Sequence, residues 1–470
     1  MSMLSATERK PAPPTDAALM AHLLRRAGFG ATRDQLDRYL KDGYEATVEA
    51  LLNPPHSEPA DQDLVDRYFI ATVEARSPGH AVPHWAWRLA TSEHPLEEKI
   101  ALFWHGLLAV GGIKLDHGLE MLREIDLFRR HGLGPFRTLL VEISRDPGMM
   151  YWLDNQNSHK TAPNENYGRE LLELFSMGID RTGAGAYTEA DVKAAARAFT
   201  GWAAKPTMPP FFLGPFDMEF IFDPADHDDG EKTFLGRTGN FNGDDIIDII
   251  VEQDATARFV ARRLYLFFVS DTPDEAEVER LAGVFRSSGG EIRAILRAIF
   301  LSDHFKSEAL RFRKVKSPAE LVWGVVRTVD RYRIPELDVC DLPAYSTYMG
   351  QMLLNPPSVE GWHEGEEWVD SGALIERVNF AVNELGRTDS PGVRRMIDSV
   401  KTSGRRLSPT ALVDRCLDAM GALAVSERTR AILIDHAGRN GSLDTTSEEA
   451  DDRVVELLQA IVATPDFQYC

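Results

Sequence analysis

Cysteine is scarce: Cys340, Cys416 and Cys470 stand far apart in a chain of 470 residues. Neither a CxxC pair nor an even disulfide framework can be built from them, which fits a reducing compartment. Also missing is any apolar run of the length that a signal peptide or a membrane span needs, and the segment Met1 to Asp16 is polar and proline-bearing. Arg25-Arg26 does not read as a twin-arginine export signal, because it lies inside an amphipathic segment, Leu19 to Gly30, that Ala27-Gly28-Phe29-Gly30 brings to a stop. The expected location is cytoplasmic, with no membrane span. Positive charge is short as well: 52 Lys and Arg against 73 Asp and Glu leave a net charge of −21. That balance argues against nucleic acid or an anionic membrane as the partner.

Familiar catalytic signatures are absent too. The chain has no Gly-x-Ser-x-Gly elbow, no cysteine beside a histidine and no His-Glu-x-x-His. Gly236-Arg237-Thr238-Gly239 lacks both the lysine and the preceding strand of a phosphate-cradling loop.

What is present is a 43% hydrophobic chain, ample for a large core. Its apolar residues recur mostly at helical spacing. The reading is a mainly α protein: a large multi-helical domain with long irregular loops and at most a small β-hairpin. Residues 1–60 read as an N-terminal helical cap, 61–380 as a helical core and 381–470 as a C-terminal helical extension. Expected helices include Tyr44 to Leu52, Leu64 to Glu74, His84 to Thr91, Pro95 to Val110, His117 to Arg130, Asn164 to Met177 and Thr188 to Thr200. Two long loops stand out. Trp202 to about Asn242 is rich in proline, glycine and phenylalanine, and Leu353 to Ser371 carries Trp362, His363 and Trp368. Structured loops of this length are often functional.

Within the Asn164 to Met177 segment, Asn164 is a good helix-entry residue, while Leu171, Leu172, Leu174 and Phe175 give the helix a face to bury. Glu165, Arg169, Glu170 and Glu173 then lie beside that face. Because unpaired buried charge costs several kcal/mol, these groups must either pair with one another or hold a cation. The i, i+4, i+8 spacing of Glu165, Arg169 and Glu173 suits a salt-bridge ladder.

The run Leu24-Arg25-Arg26-Ala27-Gly28-Phe29-Gly30, Phe103-Trp104-His105, Asn164-Glu165-Asn166-Tyr167-Gly168-Arg169-Glu170, Tyr187-Thr188-Glu189-Ala190-Asp191-Val192, Phe199-Thr200-Gly201-Trp202, His227-Asp228-Asp229-Gly230-Glu231-Lys232-Thr233 and Pro356-Pro357-Ser358-Val359-Glu360-Gly361-Trp362 resembles the bacterial family called domain of unknown function 1800. The matches cover roughly residues 19 to 380. The resemblance implies no settled activity. It does imply a protein partner of sulfatase-like fold and, for many members, export, for which this chain shows no signal. Two departures bear on chemistry. The family's Trp-His-Asn-His-Phe run is here Trp104-His105-Gly106-Leu107-Leu108, and Gly168 replaces an alanine, which weakens a helix by about 1 kcal/mol while permitting close backbone approach.

Three sets of candidates follow. Glu165, Glu170, His227 and Asp228 are the acid–base candidates, with His227 a general base beside Asp228. Tyr167, Arg169, Lys232 and Trp362 are the substrate-binding candidates. His105, Glu170, Glu173 and His227 are the metal-ligand candidates, a donor set suited to divalent iron, manganese or zinc. The Asp223 to Lys232 loop does not match an EF-hand in any register. Its other reading is a hydrogen-bonded turn in which Gly230 takes a positive φ. Arg25 and Arg26 read as salt-bridge partners for acidic helices. The sequence thus points to an enzyme of unassigned reaction, against a noncatalytic binding or assembly protein or an accessory subunit of a catalytic partner.

Overall fold

The computed structural model describes residues 16–54, 78–115, 117–179, 186–206 and 218–470. The helix expected over Leu64 to Glu74 and the loop residues from 207 to 217 lie outside them. The protein is mainly α. Its strands form small two-stranded antiparallel ribbons: Trp202–Pro206 with Met218–Phe222, Lys232–Phe234 with Arg237–Gly239, and Arg406–Leu407 with Leu443–Asp444. The first two fall in the proline- and phenylalanine-rich loop, where a hairpin is expected. No helix among the described residues is long and apolar enough to cross a membrane.

The chain divides into two compact units. One comprises Met1–Ala50, Phe300–Arg333 and Gly365–Cys470, and the other Leu51–Ile299 and Ile334–Glu364. In the first unit, capping boxes start the helices Arg33–Asp42 at Thr32 and Pro318–Val329 at Ser317. Each cap satisfies backbone N–H groups that a helix start leaves orphaned. Gly324 packs against the Phe29 carbonyl so closely that a Cβ there would lie 2.9 Å from it.

The second unit is built on the helix Pro95–Leu107, buried on nearly every side, with Ile100, Trp104 and His105 fully enclosed. It packs against Gly118–His131, whose buried face carries Met121, Ile125 and Phe128 together with Glu120 and Glu124. The helix Pro78–Thr91 begins before the expected His84, with Pro83 inside its early turns. The segment expected as one α-helix from Asn164 to Met177 is α-helical over Glu165–Glu170 and then a π-helix over Leu171–Ser176. The wider turn is closed by the Met177 N–H on the Leu172 carbonyl and by the Ser176 hydroxyl on the Leu171 carbonyl at 2.5 Å. π turns recur at functional sites and shift the register of the side chains that follow them.

Candidate functional site

Asn164 caps the Glu165–Glu170 helix by accepting the Asn166 N–H at 2.9 Å. Tyr167 is buried, and its hydroxyl bonds to that of Ser144, which in turn donates to the Leu140 carbonyl. Gly168 faces the helix Glu189–Ala198, where an added Cβ would stand 3.1 Å from the Ala196 nitrogen and 3.3 Å from the Val192 carbonyl. The glycine therefore serves the close approach that its sequence position suggested.

Arg169 forms the expected ladder, at 3.3 Å from Glu165 and 3.2 Å from Glu173, and adds Glu189 at 2.7 Å. The hydrogen bonds it donates to Glu189, then Glu173, hold its guanidinium well above the ordinary range. The ladder is solvated, with Glu189 69% exposed, so its net worth is small. Arg169→Ala is expected to lower unfolding stability by less than about 1 kcal/mol, as read by urea denaturation. Glu170 is half-buried. Burial, then the Glu173 carboxylate and, further down, Glu360 push its carboxyl up, against an opposing pull from Arg169. The second long loop thus brings its Glu360 into the field of this helix.

The His227 loop is pinned to the end of the Glu189–Ala198 helix. His227 is buried, and its Nδ1–H donates to the Thr200 carbonyl at 2.8 Å, leaving Nε2 as the acceptor. Asp228 does not face His227. It takes a two-pronged ion pair from Arg197 at 2.6 and 3.1 Å, and these bonds, with that from the Gly230 N–H, hold its carboxyl down at about 2. The Lys232 ammonium is buried and donates to the carbonyls of Asp228 and Gly230 at 2.6 and 3.0 Å. Gly230 corrects the turn reading: it is not among the positive-φ glycines, and the atoms nearest a Cβ there are the ends of the Arg197 and Asp228 side chains, at 2.7 and 2.9 Å.

The remaining metal candidate, His105, lies elsewhere in the second unit. Its Nδ1 is 3.2 Å from a Glu124 oxygen, and both side chains are fully buried. Trp85 stands edge-on at 5.5 Å between ring centroids and Trp362 at 5.3 Å. Trp362 reaches this position because Gly361, at φ +87°, sits against Gly106; a Cβ on Gly361 would come within 1.9 Å of the Gly106 carbonyl oxygen. Gly106 leaves room for the second loop, since a Cβ there would stand 3.4 Å from the Trp362 ring.

Burial pushes the His105 imidazole down to about 3 and the Glu124 carboxyl well up. Burial thus favours the uncharged form of each partner in this contact. Glu98, on the same helix as His105, shows the contrast. It is as deeply buried, yet Arg129 at 2.8 and 2.9 Å and Arg88 at 3.2 Å overcome the burial cost and hold it below the ordinary carboxyl range. Two further acids surround Glu124. Asp146 caps the helix Pro147–Trp152 through the Met149 N–H, and burial, then Glu124, raises it. Glu120 takes Arg123 at 2.8 Å and the Met218 N–H at 3.1 Å.

Four buried polar atoms of this centre have no partner among the described residues: His105 Nε2, Glu124 Oε2, Glu120 Oε2 and Trp362 Nε1. Groups of this kind are rare in native interiors and call for an occupant or a role. Sequence reasoning named His105 and Trp362 but missed Glu120 and Glu124. The signal was there: two glutamates at i, i+4 on the apolar stripe of one helix.

The structure does not bring His105, Glu170, Glu173 and His227 to one point, since His105 sits with Glu124, Glu173 with Arg169, and His227 with Thr200. Among the described residues, no group of three or more His, Cys, Asp and Glu side chains is placed to hold a metal ion.

A family model described as Protein of unknown function (DUF1800) matches residues 22–469. No curated protein and no solved structure matches the chain.

Proposed function

We propose, for a chain that belongs to the DUF1800 family over nearly its whole length, an acid–base enzyme whose proton donor is Glu124. The observation that carries this reading is the set of partnerless buried atoms around His105 and Trp362. With His105 Nδ1–H directed at Glu124 Oε1, the imidazole Nε2 is left as an acceptor and the protonated Glu124 Oε2 as a donor. Trp362 Nε1–H supplies a second donor. A hydroxyl or carbonyl group of a neutral substrate complements that pattern. A carboxylic acid kept protonated by burial is a competent general acid near neutral pH. His105, pushed down to about 3, is a weak base and serves to orient.

The test is turnover on a panel of chromogenic glycosides, esters and phosphoesters, with Glu124→Gln as the comparison. Expected is an activity that declines as pH rises through the raised Glu124 pKa, because the protonated form is the active one. Its kcat falls about 100-fold or more in the variant, with the fold retained. Equal turnover by the two proteins would remove Glu124 from the chemistry.

A second reading, a noncatalytic binding or assembly protein, is supported by how completely the motif residues are used internally. Tyr167, Arg169, Asp228 and Lys232 all find partners within the chain. On that reading Glu124→Gln leaves every functional readout unchanged.

A further inference from the structure

The first unit concentrates buried positive charge in a strongly acidic protein. On the helix Asp16–Arg26, Arg25 lies over the Phe312 ring at 5.0 Å and makes no ion pair among the described residues, a correction to its reading as a salt-bridge partner for acidic helices. Its Nε is buried without a partner, and burial, then the nearby Arg26 and Arg311 charges, push it down to about 10, against an opposing influence from Cys470. Arg311 leaves Nε and one terminal nitrogen unpartnered, and its nearest carboxylate, Glu308, is 3.7 Å away.

Next to this group stands Lys316. Its ammonium donates to the Phe467 carbonyl at 2.7 Å and lies over that ring at 4.0 Å. Arg377, fully buried, donates to the Lys316 carbonyl and to Gln468, each at 2.8 Å, and keeps Nη1 unpartnered. Arg25 and Lys316 both line a small cleft of about 50 Å³ that opens to solvent. Glu320 is the carboxylate on its wall, and one of its oxygens takes the Ser317 N–H at 2.6 Å.

Buried guanidinium groups are ordinarily paired, because desolvating a cation without a counter-charge costs several kcal/mol. Here Glu320 and Cys470 favour the charged form of Lys316 and Arg377, Cys470 alone does so for Arg25, and Arg311 adds a further cation beside Arg25. Guanidinium forks match tetrahedral oxyanions in geometry as well as charge.

We propose that this cleft is a binding site for a small oxyanion of the phosphate or sulfate class, contacted by Arg25 and Lys316 and favoured by the field of Arg311 and Arg377. The site belongs to the first unit and is independent of the His105 centre. It is tested by titrating the full chain with inorganic phosphate and, separately, with sulfate by isothermal calorimetry, at ionic strength held constant with chloride. Saturable binding of either anion, weakened at least tenfold in both Arg25→Gln and Lys316→Gln and unchanged in Arg169→Gln, is the expected result. Absence of saturable binding to the native chain overturns the proposal. So does unchanged affinity in Arg25→Gln and Lys316→Gln when both remain folded by circular dichroism.

Discussion

Gly361→Ala is expected to cost about 3 to 5 kcal/mol of stability, because strain and collision act together. The residue holds φ at +87°, and its new Cβ would stand 1.9 Å from the Gly106 carbonyl oxygen, a backbone atom that no side-chain rotation can move. Gly236→Ala separates the two contributions. That glycine has φ +78° and nothing within 4 Å of a Cβ, so only the conformational penalty of about 1 to 2 kcal/mol remains. Chemical denaturation of both variants reads the difference. The Gly361 variant should also show altered near-ultraviolet circular dichroism as Trp362 leaves the His105 ring. Equal costs for the two substitutions would mean that the Gly106 contact is not the constraint.

The second large effect is electrostatic, and its sign follows from the neutral pair. The His105 pKa falls from about 6.5 in the unfolded chain to about 3 when folded. Across that window the unfolded state holds a proton that the folded state lacks. Stability attributable to His105 is therefore present above pH 6.5 and is lost on acidification, at up to about 1.4 kcal/mol per pH unit. Glu124 works in the opposite direction. Its folded pKa is raised, so its contribution is full below the ordinary carboxyl range and is lost as pH rises through the folded value.

Above the ordinary carboxyl range the two slopes oppose each other in the native protein. Removing one partner exposes the other. Glu124→Gln is expected to lose stability on acidification from pH 6.5, by about 3 kcal/mol down to pH 4.5, and His105→Gln to lose it as pH rises above the ordinary carboxyl range. Asp146, raised in the same direction as Glu124, is a background common to both. Urea unfolding midpoints at half-unit pH steps measure the slopes. Two variants with the native pH profile would show that the pair ionises as an ordinary surface pair does.

Local chemistry made much of the fold legible. Tyr44–Leu52 has the expected bounds, and the caps at Thr32, Thr188 and Ser317 are readable from side chains that bond their own next turn. The Arg169 ladder depends only on residues four apart and forms accordingly, although its third acid, Glu189, comes from another helix. The π turn was not legible, because Leu171, Leu172, Leu174 and Phe175 suit a buried α-helix equally well. Nor was the early start of the Pro78–Thr91 helix, which carries Pro83 inside it.

The candidate site was harder still. His105 meets Glu124 across 19 positions of sequence, and no periodicity reports which two buried faces will touch. His227 and Asp228 are neighbours in sequence, but they turn to different partners on the preceding helix and its end.

The division of the chain has a consequence for biosynthesis. The polypeptide passes between the two units at residues 50/51, 299/300, 333/334 and 364/365. On a ribosome releasing the chain from its amino end, the unit that starts later is finished first, and neither is whole until a segment of the other has emerged. Trp362 lies just before the last of these crossings. Until it is synthesised, His105 and Glu124 lack one wall of their enclosure, so the nascent chain would carry them closer to their ordinary ionisation. The enclosure of the pair is complete only when that tryptophan arrives.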